Sequence, residues 1–62
     1  MLKLGDRVRR LPFIHIDESG HRIVGTKEWG TVVYIHPAGR YHVVRFDYPG
    51  GSYREAYWGV EP

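Results

Sequence analysis

Apolar and polar positions alternate with a period of two along much of this chain. The clearest run is residues 41–48, Tyr-His-Val-Val-Arg-Phe-Asp-Tyr. Side chains two apart share a face in an extended strand. His42, Val44 and Phe46 therefore project one way, and Tyr41, Val43, Arg45 and Asp47 the other. The second set is amphipathic, which predicts one core-facing surface and one wet surface. Upstream, residues 29–36 (Trp-Gly-Thr-Val-Val-Tyr-Ile-His) form a second run dense in β-branched and aromatic residues. Pro37, Ala38, Gly39 and Arg40 separate the two runs, and the whole reads as a β-hairpin. Val32 and Ile35 fall out of strict alternation. A bulge at Val33 and Tyr34 would turn both inward and bend the strand, as small closed barrels require.

The same pattern extends in both directions. Residues 2–11 read as a first strand, with a Gly5-Asp6 turn that sets Val8 inward and Arg7 and Arg9 outward; Pro12 then limits the pairing. Residues 13–16 and 21–24 flank a turn-forming Asp17-Glu-Ser-Gly20 and predict a hairpin arm between the first and second barrel strands. Pro49, Gly50 and Gly51 mark another turn. Residues 52–58 follow as a further strand, which Gly59 ends. Residues 60–62 then add a short closing strand or one helical turn. No stretch carries an apolar repeat of helical period. The expectation is one all-β domain over residues 1–62, a barrel of about five short antiparallel strands. Val8, Val32, Ile35, Val44 and Phe46 form its core.

Length makes that core thin. Sixty-two residues lie near the lower limit for a chain that folds without staples, and there is no cysteine to form one. Aromatic burial, oligomerisation or both must compensate. The nine aromatics exceed what so small a barrel can hide, so the surplus is a site or an interface. Charged residues crowd the first ten positions with no long apolar run behind them. That predicts a soluble, cytoplasmic chain with no membrane partner. The net charge of +2 is only mildly basic. Seven of the nine cations are arginine, the residue suited to phosphate forks and aromatic stacking.

Gly5-Asp6-Arg7-Val8, Gly30-Thr31-Val32 onward, Tyr41 and Val43 through Phe46-Asp47-Tyr48, and the closing Val60-Glu61-Pro62 together resemble the Src-homology-3-like barrels. Tudor, KOW and related bacterial and phage domains belong to that group. The resemblance covers most of the chain outside residues 12–28 and implies a fold more than a function. Residues 44–50 are similar to a Tudor stretch in which aromatics cage a methylated cation. That similarity implies Tyr48 as a cage wall, with Trp29, Tyr34 or Tyr53 as a neighbour, and a protein or peptide partner. KOW-type relatives contact RNA. Gly5 to Arg9, Trp29-Gly30, Tyr41, Val43 and Gly51-Ser52 also look like type II plasmid dihydrofolate reductase. Its pore-lining Val-Gln-Ile-Tyr is replaced here by Tyr53-Arg54-Glu55-Ala56, so only the scaffold is shared.

Arg7, Arg9, Arg40, Arg45 and Arg54, interleaved with Tyr41 and Tyr53, are the candidate nucleic-acid surface. Cations beside stacking platforms are what single strands need. Asp6, Asp47 and Glu55 lie close enough in sequence to pair with these arginines instead. His15 with His21, and His36 with His42, sit on opposite arms of the two hairpins. No Cys/His signature accompanies them, so no metal or other cofactor is expected. No nucleophile–base pair or phosphate loop is recognisable, and the chain reads as a non-enzyme. Nucleic acid is the first-choice partner and a protein or peptide the second.

Overall fold

The structure is a computed structural model that describes residues 1–12 and 27–61. Four strands, β1 (Arg7–Arg10), β2 (Glu28–Ile35), β3 (Tyr41–Tyr48) and β4 (Gly51–Trp58), pair antiparallel in the order β1-β2-β3-β4. There is no helix among the described residues, and none long and apolar enough to cross a membrane. The arm expected over residues 13–24 lies outside the described residues.

Alternation holds where it was clearest. His42, Val44 and Phe46 are buried, while Tyr41, Val43 and Arg45 are half-buried and Asp47 is exposed on the other face. The bulge is present: Val32 pairs with Val44, and then Tyr34, not Val33, pairs with Val43. The extra residue resets the phase of β2. Val32 and Ile35 then both turn toward the core, and Tyr34 turns out. A two-residue loop, Pro49-Gly50, joins Tyr48 to its cross-strand partner Gly51.

Leu2, Val8, Val32, Val44 and Phe46 form the core, with Ile35, Tyr48, Tyr53 and Tyr57 packed around it. Leu2 belongs to no strand. Its N–H donates to the Val60 carbonyl at 2.8 Å, which holds the N-terminal segment under the sheet. His42 is the one buried polar side chain among the described residues. Its Nδ1 lies 2.8 Å from the Gly59 carbonyl, and its ring stacks on Tyr57 with centroids 5.8 Å apart.

Residues 59–61 carry no strand, so the described sheet has four strands, not the expected five, and is open. The Gly59 N–H still donates to the Arg40 carbonyl at 2.8 Å, and Gly59, at a φ of 83°, then turns the chain away from β3. The two edges are nevertheless tied. Besides the Leu2–Val60 bond, the Tyr57 hydroxyl donates to the Leu11 carbonyl at 2.9 Å, and the Arg10 guanidinium donates to the Glu61 carbonyl at 3.2 Å.

Gly30 decides how closely β2 can lie against the core. A Cβ there would meet Val44 Cγ1 at 2.4 Å and the Arg45 carbonyl oxygen at 2.9 Å. The second neighbour is backbone and cannot swing aside. Gly50 has nothing within 4 Å of its Cβ direction. Thermal melts should therefore show Gly30→Ala destabilised by about 1–3 kcal/mol through overpacking, with Gly50→Ala close to the parent. Equal melting temperatures would place Gly30 away from the core. Phe46→Ala should cost about 3–5 kcal/mol, most of the stability of a domain this small.

Candidate binding face

Strand register assembles the outward residues into rows that run across the sheet. Arg7 lies opposite Thr31, Thr31 opposite Arg45, and Arg45 opposite Arg54. With strands about 4.8 Å apart, this row crosses all four strands in roughly 14 Å. The Arg7 guanidinium donates to the Thr31 hydroxyl at 3.0 Å. Arg45 Nε sits 3.1 Å from an Asp47 carboxylate oxygen, too poorly aligned for a hydrogen bond. Like charges directly opposite each other in an antiparallel pair oppose pairing. The Arg45–Arg54 step is therefore a local cost, offset only in part by Asp47.

Aromatic groups flank the row on both sides. On one side Arg9 lies opposite Trp29, with its guanidinium carbon 5.9 Å from the indole centroid, a cation–π contact. On the other side, past the bulge, Tyr34 faces Val43 and Val43 faces Ala56, while Tyr41 faces Trp58. The Tyr34 and Tyr41 centroids are 5.9 Å apart. The Tyr41 and Trp58 rings meet edge to face, with centroids 6.5 Å apart and planes at 86°. Tyr41, Ala56, Tyr57 and Trp58 line a cleft at this corner. Ala56 lies between Arg54 and Trp58 on the outward side of β4, and its methyl is the smallest outward side chain of the three.

The carboxylates of β2 and β4 point the opposite way. The Tyr48 hydroxyl donates to Glu28 at 2.7 Å, and the Tyr53 hydroxyl donates to Glu55 at 2.5 Å. Tyr53 also stacks on Phe46. Burial holds the Tyr48 phenol well above its ordinary range, with the Glu28 hydrogen bond and charge adding to it. Burial does the same for Tyr57, followed by the negative charge of Glu55. Across the strands the outward face thus carries Arg7, Arg9, Arg45 and Arg54 against the single carboxylate of Asp47.

Of the residues expected to bind nucleic acid, Arg7, Arg9, Tyr41, Arg45 and Arg54 share this face. Arg40 is exposed in the turn beside Tyr41, off the row. Tyr53 does not belong with Arg54. Neighbours in a strand point to opposite faces, and Tyr53 is packed against the core. Nor does Glu55 neutralise Arg54, for the same reason. Trp29, Tyr34 and Tyr48 are not brought together as a groove. Trp29 stands with Arg9, Tyr34 with Tyr41, and Tyr48 lies on the inner face bonded to Glu28. His42 is buried, whereas the His36 ring accepts from the Ala38 N–H at 3.0 Å and packs on Tyr41. Trp58 and Ala56 were not anticipated as site residues. Their shared parity with Arg54 was the available signal.

No family model, no curated protein and no solved structure matches the chain.

The raised tyrosines set an alkaline limit. In the unfolded chain Tyr48 and Tyr57 ionise near pH 10, whereas the folded protein keeps both protonated beyond that. Above about pH 10 the unfolded state binds fewer protons than the native state, so stability is complete below that pH and falls as pH rises. Phenolate absorbance should show Tyr48 and Tyr57 titrating only as the fold is lost. Smooth ionisation of all five tyrosines in a still-folded protein would contradict the buried placement.

Proposed function

We propose that this chain is a non-catalytic binding module that engages nucleic acid through the outward face of its sheet. The observation that carries this reading is the row Arg7–Thr31–Arg45–Arg54, in which two arginines stand directly opposite each other at a cost to pairing. A sheet selected for stability alone would place a carboxylate or a neutral side chain at one of those positions. A polyanion lying across the row repays that cost, because each guanidinium can fork onto phosphate oxygens. The Tyr34, Tyr41 and Trp58 rings on one side offer aromatic faces beside the charges. Segregation of Glu28 and Glu55 to the inner face leaves the outward field positive.

We infer further that the tied edges make this sheet the wall of a small Src-homology-3-like barrel. The Leu2–Val60, Tyr57–Leu11 and Arg10–Glu61 bonds support that curl. A Tudor-like peptide groove has less support. Trp29 already carries a cation from its own chain, and the Tyr48 hydroxyl is occupied by Glu28.

Counterion release makes such binding fall steeply with salt, by about 0.7–0.9 in the log–log slope per phosphate contact. Arg45→Ala and Arg54→Ala should each weaken oligonucleotide binding regardless of sequence and lower that slope by about one contact. Asp47→Asn removes the one carboxylate that the described strands place on this face and should tighten binding at low salt. Glu55→Gln, on the inner face, should change it far less. Isothermal titration or fluorescence anisotropy at two salt concentrations measures all four. Absence of any oligonucleotide binding by the parent at low salt would end the nucleic-acid reading.

A further inference from the structure

We propose that the ligand of this face is a single strand, and that it seats a base in the corner formed by Tyr41, Ala56 and Trp58. This rests on the nucleic-acid reading above and narrows it. Phosphate contacts alone are indifferent to whether a strand is paired, so the arginine row cannot choose. The aromatic groups can. A duplex keeps its base faces stacked on one another and has none to offer to a protein ring. An unpaired base can leave its neighbours and stack on a side chain.

Four observations put that contact at Trp58 and not at Trp29. Trp58 is 87% exposed, the most open of the large apolar side chains described, which is costly for an indole with nothing to cover it. Trp29 is 58% exposed but stands beneath the Arg9 guanidinium, so its ring is already in use. At Trp58 the neighbouring ring, Tyr41, stands at 86° to the indole and leaves most of the indole surface open as a wall. Ala56 opens the floor of the cleft: a larger side chain, two residues from Trp58 on the same face, would fill it.

The geometry also sets a direction for the strand. Arg54, Ala56 and Trp58 are successive outward positions of β4, so the phosphate row and the stacking corner are about 13 Å apart along that strand. Arg45 and Tyr41 repeat the order on β3, where Val43 intervenes. A backbone lying on Arg54 and Arg45 can therefore place a base over Ala56 against Trp58 without leaving the face.

The two tryptophan indole N–H signals of 15N-labelled protein, assigned with Trp29→Phe, provide the test. Three probes are compared at low salt: a ten-nucleotide thymidine strand, an abasic ten-mer with the same phosphates, and a blunt-ended mixed-sequence duplex without a loop. The thymidine strand should shift and broaden the Trp58 signal. The abasic strand and the duplex should move arginine signals while leaving Trp58 in place. Trp58→Ala, at an exposed position that the core does not use, should weaken thymidine-strand binding about 5- to 150-fold. Its duplex affinity should stay within about twofold of the parent, because phosphate contacts alone carry it. Equal displacement of Trp58 by duplex and single strand, or unchanged single-strand affinity in Trp58→Ala, would overturn the single-strand inference and leave the nucleic-acid reading standing. If none of the three probes moved an arginine signal, both would fall.

Discussion

Period-two alternation in β3, together with one extra residue in β2, is the constraint from which the two faces of this sheet follow. β3 has neighbours on both sides, so its phase is imposed on β2 and β4. His42, Val44 and Phe46 fill one side, and a slip of one residue would bury Arg45 and expose Phe46. The bulge at Val33 lets β2 satisfy that phase at both ends. Without it, Tyr34 would turn inward and Ile35 outward. The core would lose an aliphatic side chain and the outward face would lose the ring that packs on Tyr41.

So small a core leaves little stability to spare, which gives the distribution of charge its meaning. Among the described residues the buried hydrophobic core is Leu2, Val8, Val32, Val44 and Phe46, and a buried histidine lies among them. Gly30 allows β2 to press directly onto Val44 and Phe46, recovering close packing where a side chain would prevent it. The tyrosines at the rim, Tyr48, Tyr53 and Tyr57, extend the apolar surface and use their hydroxyls on Glu28, Glu55 and the Leu11 carbonyl. Acidic groups are thereby held on the inner side. Arg45 opposite Arg54 makes no contribution of that kind, and in a domain with so thin a margin a retained repulsion points to use outside the fold.

Much of this was legible in the residues themselves. The phase of β3, the bulge at Val33, the turn at Pro49 and the outward setting of Arg7, Arg9 and Arg45 all follow from alternation and turn chemistry. Leu2 was not legible: it reaches the core from an irregular segment, where no period operates, and a single hydrogen bond to Val60 places it. A short closing strand or one helical turn is the expectation at residues 60–62, yet Gly59 redirects the chain and the described residues hold four paired strands. Within the site, Tyr53 was grouped with Arg54 by closeness in sequence, although adjacent strand residues face apart. The same rule would have selected Trp58. The cross-strand meeting of Arg45 with Arg54 depends on the loop length at Pro49-Gly50, which fixes register and which composition alone does not reveal.

In the proposed reading one face, and not overall charge, does the binding. Arginine side-chain Nε–H signals resolve this directly, because Arg10 is a built-in control. It lies on β1 beside Arg9, but its guanidinium is held by the Arg9 and Glu61 carbonyls on the inner side. Titration of the unmodified protein with a ten-nucleotide single strand at low salt should move the Arg7, Arg45 and Arg54 signals together and leave Arg10 still. Displacement of Arg10 to the same extent, or an outward row that does not respond while binding occurs, would contradict the account.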